Sequence, residues 1–148
     1  DLLIVEKLAN EILHDTYDGL MPTFHIDFLI QSSHTAKVID EQIKKENHEF
    51  YLLSWEGKNI GYLGIEYTKK KIMLSKLYVL KAYQGKGIGK KVLCFVENKV
   101  EDSVNLIVQK QNAYQFYLKN GYSVVREFNN TFENGHTLQG YLMSKKKK

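Results

Sequence analysis

The sequence contains few of the residues that cross-link or interrupt a fold: among 148 residues there are one cysteine and one proline. Because Cys94 has no second cysteine to pair with, an internal disulfide is excluded, which agrees with a reducing compartment. Apolar runs stay well below the roughly 18 residues of a membrane-spanning helix, and the N-terminus lacks the basic-then-apolar pattern of a signal peptide. We therefore expect a cytoplasmic protein with no membrane partner.

Excess charge of one sign is also scarce once the last four residues are set aside. The formal net charge is +4, from 21 basic and 17 acidic residues, and the lysines at 145–148 account for all of it. We expect those lysines to form a solvated tail, and the neutral remainder argues against a nucleic-acid partner. Six acidic residues stand against Lys7 alone in residues 1–31. This uneven placement predicts one acidic and one basic side.

Length and periodicity predict a single α/β domain over residues 1–148. Such a length suits one hydrophobic core, because domains commonly hold about 100–200 residues. Apolar residues at three-and-four spacing predict a helix over 2–17 and two shorter helices before residue 46. The period of strands then takes over, and a later helix follows a glycine-rich loop. The strands predicted in this way are 50–55, 60–67, 72–80, 104–108, 122–127 and 137–143, with a short helix at 112–120.

The arrangement of three predicted strands can also be inferred. Strands 50–55 and 60–67 flank the polar turn at 56–59, which predicts a hairpin. The next strand, 72–80, is apolar on both faces except for Ser75 and Lys76, which predicts a central place in the sheet. The chain begins without methionine and without a strand before the first helix, so we expect a native N-terminal strand to precede residue 1.

The strongest chemical signal is the glycine-rich segment Gln84-Gly85-Lys86-Gly87-Ile88-Gly89, between a predicted strand and a predicted helix. Backbone N–H groups at the start of a helix attract phosphate, and glycines let phosphate oxygens approach without a Cβ in the way. Lys90 and Lys91 add positive charge to that of Lys86. The segment therefore suits a pyrophosphate, and an ordinary glycine turn is the alternative.

Two common phosphate-binding motifs do not fit this loop. A P-loop needs glycine at the position of Gln84 and serine or threonine at the position of Lys91. A dinucleotide-binding motif needs its third glycine at the position of Lys90, and an acidic residue at the end of the next strand, where the sequence has Val104 to Gln109. Both motifs are excluded.

The pattern that remains, Gln-x-x-Gly-x-Gly at 84–89 after Leu77-Tyr78-Val79, resembles the GNAT superfamily of acyl-CoA-dependent N-acyltransferases. Residues 113–122 resemble the family's second motif, a helix bearing Phe-Tyr followed by glycine and an aromatic residue. Two motifs in the family's order, about 30 residues apart, are more specific than either alone. The resemblance covers most of the chain. It implies a mixed, mostly antiparallel sheet flanked by helices, with an acyl-CoA cleft between splayed central strands at 72–80 and 104–108.

The resemblance also implies acetyl-CoA, or a close acyl relative, as co-substrate. Its pantetheine arm would bond the backbone of Tyr78 and Val79 as an added strand does, and its pyrophosphate would lie on the amides of 85–90. Asn112 corresponds to the family's cofactor asparagine when counted forward from the preceding strand, although a helix N-cap is its other interpretation. The cofactor-binding residues implied are Leu77, Tyr78, Val79, Gln84, Gly85, Lys86, Gly87, Ile88, Gly89, Lys90, Asn112 and Phe116.

The reaction implied is direct transfer of an acetyl group to a primary amine of a small molecule or peptide. The family assigns protonation of the departing thiolate to the tyrosine of its Phe-Tyr helix, here Tyr117, whereas a tyrosine that only packs is the alternative. The carboxylate often present on the strand before the glycine loop is missing from residues 72–76. Glu66 on the adjacent strand is the candidate general base, directly or through water, and a solvated surface glutamate is its alternative.

The acceptor and the partners follow from charge and from the same resemblance. The family places the first helices at a wall of the acceptor groove, so the acidic residues 1–31 favour a cationic acceptor such as a polyamine. The stretch from His14 to Pro22 and the C-terminal strands are similar to the polyamine-acetylating branch. The histidines and Cys94 lack metal-ligand spacing, so we expect no metal. We expect a monomer or homodimer, and the alternative function is a non-catalytic acyl-CoA-binding sensor of the same fold.

Overall fold

The computed structural model describes residues 1–19, 21–45, 47–109, 113–131 and 137–147. In chain order these residues form α1 (Leu2–Tyr17), α2 (Thr23–Ser33), α3 (Ala36–Ile43), β1 (His48–Trp55), β2 (Lys58–Thr68), β3 (Lys71–Val79), a 3-10 turn (Lys81–Tyr83), α4 (Ile88–Glu97), β4 (Ser103–Gln109), α5 (Tyr114–Lys119), β5 (Ser123–Thr131) and β6 (Thr137–Lys146). Within this described part of the chain, no helix has the length and apolar character to cross a membrane.

The strands make one six-stranded sheet in the order β1-β2-β3-β4-β6-β5. The β1–β2, β4–β6 and β5–β6 pairs are antiparallel, and β3 and β4 are parallel. The predicted α/β fold with a mixed, mostly antiparallel sheet is confirmed, and β3 has the central place that its apolar sequence indicated. A parallel pair needs a crossover, and α4 lies in the connection between β3 and β4.

The residue contacts divide the chain into two compact units, Asp1–Glu66 with Lys76–Gly89, and Tyr67–Ser75 with Lys90–Lys148. The single domain over 1–148 stays a prediction. The first unit holds α1, α2, α3, β1 and most of β2. Helical spacing builds its core, because apolar side chains three and four residues apart lie on one helix face. The buried residues of its helices include Val5, Leu8, Ala9, Ile12, Leu13, Ile26, Ile30 and Ile39.

The predicted hairpin of the first unit forms, with a turn shorter than the predicted 56–59. The register of β1 and β2 ends at Trp55↔Lys58, which leaves two residues in the turn. Both have positive φ, 49° at Glu56 and 79° at Gly57. Such a two-residue turn matches the right-handed twist of the flanking strands, and glycine adopts the second position without steric cost.

The second unit is built on β4, β6 and β5 with α5 and most of α4. Apolar side chains of α4 and of the strands form its core: Val92, Leu93, Val96, Val104, Leu106, Val108, Tyr117, Tyr122 and Met143 are buried. The register of β3 with β4 runs from Lys71↔Ser103 to Leu74↔Leu106. Both strands continue past the last of these pairs, to Val79 and to Gln109.

The C-terminal lysines differ from the expected solvated tail. Lys145 and Lys146 belong to β6, because the antiparallel register with β4 continues as far as Ser103↔Lys146. The Nζ of Lys145 lies 3.1 Å from Oε1 of Glu97, and the backbone N–H of Lys147 donates to the carbonyl of Asp102 at 2.7 Å. The sequence predicted this strand only as far as residue 143, because the apolar residues end there. The strand continues in the structure because backbone hydrogen bonding does not depend on side-chain polarity.

Candidate functional site

The glycine-rich loop leads from β3 through a 3-10 turn into α4, as the sequence indicated. Gly85 and Gly87 have φ of 79° and 80°, in the left-handed region that favours glycine. A Cβ added at either position would meet no atom within 4 Å, so both glycines face open space. The loop therefore presents bare backbone at the start of a helix, which is the geometry that an anion needs.

The charged residues of this loop and of the first turn of α4 are all lysines. Lys86 in the loop and Lys90 and Lys91 in the first turn of α4 are exposed, and that first turn carries no acidic residue. The N-terminal end of a helix has a partial positive charge, to which these lysines add. A diphosphate at this loop would thus meet backbone N–H groups and Lys86, and the residues of the loop fit such a group.

Gln84 holds the loop to the strand before it. Its Nε2 donates to the carbonyl of Val79 at 3.0 Å, and the backbone N–H of Tyr83 donates to the carbonyl of Leu80 at 2.9 Å. The Gln84 side chain thus contacts backbone that the family resemblance assigned to the cofactor arm. Gln84 orders the loop from within, a function that its place in the motif did not reveal.

The segment Leu77, Tyr78 and Val79 is half-buried at the end of β3. It lies past Leu74↔Leu106, the last pair in the register with β4. On the side of β2, the backbone N–H of Leu80 donates to the carbonyl of Ile60 at 2.8 Å. These three residues and the loop 84–89 belong to the first unit, whereas Lys90, Phe116 and Tyr117 belong to the second.

Tyr117 lies on α5 with its side chain buried among aromatic rings. The ring centroids of Phe116 and Tyr122 lie 5.2 Å and 5.6 Å from that of Tyr117, both in edge-on orientation. Burial raises the pKa of the Tyr117 phenol above its usual range, because the anionic form loses its solvation. The phenol therefore stays protonated at neutral pH and can donate a proton, as an acid must.

Tyr122, the neighbour of Tyr117, has a different environment. Its hydroxyl donates to Oε2 of Glu97 at 3.0 Å, and Oε1 of the same carboxylate bonds Lys145. This network ties α4 to β6 and to the start of β5 within the second unit. The Tyr122 hydroxyl is therefore engaged in a structural hydrogen bond. The motif alone does not distinguish the environment of Tyr122 from that of Tyr117.

Glu66, the candidate base, lies near the end of β2 with its side chain about one-third exposed. Oε2 lies 3.3 Å from Nε2 of His48, the residue opposite it in the β1–β2 register, and Nδ2 of Asn47 donates to Oε1 at 3.3 Å. The carboxylate is thus held by two side chains. His48 was not singled out from the sequence, because cross-strand pairing becomes visible only when the register is known.

Lys76 is a second residue whose environment the sequence did not indicate. It is buried on β3, where its Nζ donates to Oε1 of Gln42 at 3.2 Å and lies 5.7 Å from the ring centroid of Phe50. Burial lowers the pKa of Lys76 to about 8. The strand period of two could have indicated this burial, because Lys76 lies on the same face of β3 as the buried Ile72 and Leu74.

Asn112 lies outside the described residues. Across the residues that the structure describes, no three or more His, Cys, Asp and Glu side chains group so as to hold a metal ion.

Comparison with known proteins identifies relatives of this fold and sequence. The family model described as "Acetyltransferase (GNAT) domain" matches residues 21–145. Spermidine N(1)-acetyltransferase of Thermoplasma acidophilum is 26% identical over 134 residues, which cover 84% of this chain and 83% of that protein.

Solved structures show the same fold. The PaiA N-acetyltransferase from Thermoplasma acidophilum, crystallised with coenzyme A, has a TM-score of 0.81 at 24% identity, with 99% of this chain and 92% of that chain covered. A putative GNAT acetyltransferase from Desulfovibrio desulfuricans has a TM-score of 0.73 at 16% identity, covering 100% and 93%. An aminoglycoside 6'-N-acetyltransferase complexed with coenzyme A has a TM-score of 0.67 at 15% identity, covering 97% and 91%.

Proposed function

Because the chain belongs to the GNAT acetyltransferase family, whose domain model spans most of it, we propose that it transfers an acetyl group from acetyl-CoA to a primary amine. The amine that accepts the acetyl group is part of a small molecule or a peptide. The observation that carries the proposal is the glycine-rich loop, whose Gly85 and Gly87 leave bare backbone at the start of α4. Bare backbone N–H groups at the start of a helix attract phosphate, which supports binding of the diphosphate of coenzyme A at this loop.

The residues that would hold acetyl-CoA extend along β3, the loop and α5. The amides of residues 85–90 would bind the diphosphate, with Lys86 and Lys90 adding charge. The backbone of Leu77, Tyr78 and Val79 would bond the pantetheine arm, in the way that an added strand bonds a sheet edge. Asn112 and Phe116 complete the proposed set. When bound, acetyl-CoA supplies an activated acetyl thioester.

The proposed reaction requires two proton transfers that residues of this chain must assist. A bond forms between the amine nitrogen and the acetyl carbon while the carbon–sulfur bond breaks, so nitrogen must lose a proton and sulfur must gain one. An alkylamine with a pKa near 10 is about 99.9% protonated at pH 7, and making it nucleophilic costs about 4 kcal/mol. A base lowers this cost, and an acid is needed for the thiolate.

We assign these functions to Tyr117 and Glu66. The high pKa of Tyr117 keeps its phenol protonated, so the hydroxyl is available to donate to sulfur. Glu66 accepts the amine proton, directly or through a water molecule. Its contacts with His48 and Asn47 hold the carboxylate in one orientation, as a positioned base requires.

Glu66→Gln tests the assignment of the base. We expect kcat/KM for the amine to fall about 10- to 100-fold at pH 7 with coenzyme A affinity unchanged, since general bases contribute factors of this order. The deficit narrows as the pH rises, because the amine then loses its proton to solvent. Rates across pH 6–10 measure the effect. Glu56→Gln, in the exposed β1–β2 turn, is the matched control. A Glu66→Gln profile that overlies the unaltered one removes Glu66 from this function.

We further propose that the acceptor is cationic, with polyamines as the leading class. Asp15 at the end of α1 and Asp18 just after it are exposed, while Asp27 pairs with His14 at 3.0 Å. Exposed acids attract multiply charged amines over several ångströms of solvent. The relative that acetylates spermidine according to its name supports the same class.

Thiol release from acetyl-CoA with a panel of amines tests the function and the acceptor class together. We expect spermidine to be used with a higher kcat/KM than primary amines carrying one charge. In an Asp15→Asn, Asp18→Asn double variant this preference should fall about 3- to 10-fold, as should the preference of the unaltered protein at high salt. Glu101→Gln, an exposed acid of the second unit, is the control. An unchanged preference removes the acidic segment from acceptor choice.

The alternative function predicts a different outcome of the same assay. A sensor module binds acetyl-CoA but releases no thiol with any amine. The missing carboxylate on β3 favours this alternative, since residues 72–76 hold no acid. If the protein binds acetyl-CoA but releases no thiol with any amine of the panel, the sensor function is supported and the enzymatic function is rejected.

A further inference from the structure

A buried cluster of three side chains lies against the end of β3. It consists of His34, which directly follows α2, Tyr62 of β2 and Tyr78 of β3, all in the first unit. Nδ1 of His34 and the hydroxyl of Tyr62 share a hydrogen bond of 2.8 Å. The ring centroid of Tyr78 lies 5.2 Å from that of His34 and 5.4 Å from that of Tyr62. Tyr62 is fully buried and His34 nearly so.

The hydrogen bond in this cluster joins two neutral groups. Burial, together with the nearby charge of Lys76, lowers the pKa of His34 to about 3, so the imidazole is uncharged at neutral pH. Burial also raises the pKa of the Tyr62 phenol, which stays protonated. A buried pair of this kind is stable only while both partners are present, because either one alone would lose its bond to water without replacement.

Hydrogen bonds hold the backbone on both sides of His34. The N–H of His34 donates to the carbonyl of Ile30 at 2.8 Å and ends α2, and the next residue, Thr35, caps α3 by accepting from the N–H of Val38 at 3.3 Å. His34 thus lies between two helix ends that are both fixed. Its ring is directed toward the sheet, where Tyr62 and Tyr78 meet it.

Tyr78 is held on its backbone as well as on its ring. A Cβ on Gly61 of β2 would clash with the carbonyl oxygen of Tyr78, so only glycine permits this close approach. The neighbouring Val79 carbonyl accepts from Gln84. His34 and Tyr62 both contact the ring of Tyr78. Because side-chain rotamer and backbone φ/ψ are coupled, these ring contacts restrict the backbone of Tyr78 further.

We propose that His34 is a positioning residue for the cofactor: through its bond to Tyr62 it holds Tyr78, and with it the backbone of Leu77–Val79, in the geometry that receives the arm of acetyl-CoA. This inference rests on the proposed function, which assigns that backbone to the arm. A backbone that is already held in its bound geometry loses less entropy when the ligand binds. The hydrogen bond between His34 and Tyr62 would therefore increase the affinity for coenzyme A.

A double-mutant cycle on coenzyme A affinity tests this inference. His34→Leu and Tyr62→Phe each remove the same hydrogen bond, so we expect each to raise the Kd for coenzyme A about tenfold and the double variant to be no worse than either alone. His34→Asn, whose amide keeps a polar atom near the position of Nδ1, should restore most of the affinity. The KM for the amine should not change. Titration calorimetry measures the Kd of each folded variant.

The controls separate positioning from general destabilisation. His14→Asn breaks the exposed pair with Asp27 in the same helical layer and should leave the Kd unchanged. If His34→Leu does not fold, Tyr62→Phe and His34→Asn carry the comparison. Unaltered protein that binds no coenzyme A would overturn the proposed function and this inference together. Unaltered protein that binds, with folded Tyr62→Phe binding equally well, would overturn the positioning function alone, as would strictly additive losses in the cycle.

Discussion

Replacement of Gly87 by valine is expected to weaken coenzyme A binding at least about 100-fold, because two effects act on one residue. The φ of 80° at Gly87 is strained for a side chain branched at Cβ. The new side chain would also occupy the open space next to the loop amides, where the structure places no atom within 4 Å of an added Cβ. Titration calorimetry with coenzyme A measures the loss.

Gly57 provides a matched control for this substitution. Its φ is 79°, and an added Cβ there also meets no atom within 4 Å. Gly57→Val therefore imposes the same backbone strain at the β1–β2 turn, and we expect a lower melting temperature with unchanged affinity for coenzyme A. If Gly87→Val binds coenzyme A as well as Gly57→Val does, the loop is not the diphosphate site and the proposed function loses its main support.

Tyr117→Phe should lower kcat about 100- to 1,000-fold and leave the Kd for coenzyme A within a factor of about two, as expected when a general acid is removed. The ring and its packing against Phe116 remain, and only the proton donor is lost. Since burial raises the pKa of Tyr117, the unaltered enzyme should show no loss of kcat from phenol ionisation below about pH 10. Steady-state rates at saturating substrates measure both effects.

The neighbouring Tyr122 distinguishes catalysis from packing. Tyr122→Phe removes the hydrogen bond to Glu97 from a ring that contacts Tyr117. We expect this variant to lose about 1.5–3 kcal/mol of unfolding free energy, the range for a hydrogen bond to a charged group, with kcat unchanged. If Tyr122→Phe abolishes turnover and Tyr117→Phe does not, the assignment of the acid is reversed.

Local sequence patterns were sufficient for most of the elements. Residues 2–17 form the helix that their apolar spacing predicts, and the predicted hairpin forms with Glu56-Gly57 as its turn in place of 56–59. The apolar run around Ile72 lies at the centre of the sheet, and the predicted loop 84–89 leads into a helix that begins at Ile88. These features were accessible because helix periodicity, turn conformation and strand burial depend on residues close together in the chain.

The sequence by itself thus determined the order of helices and strands and the glycine-rich loop that carries the family resemblance. Only the tertiary structure decided which side chains meet: His34 with Tyr62, 28 residues away, and Lys145 with Glu97, 48 residues away. It also decided that Lys76 is buried and that burial raises the pKa of Tyr117. The physical reason is that strand register and burial depend on contacts between distant segments, and burial sets the proton affinity of each group.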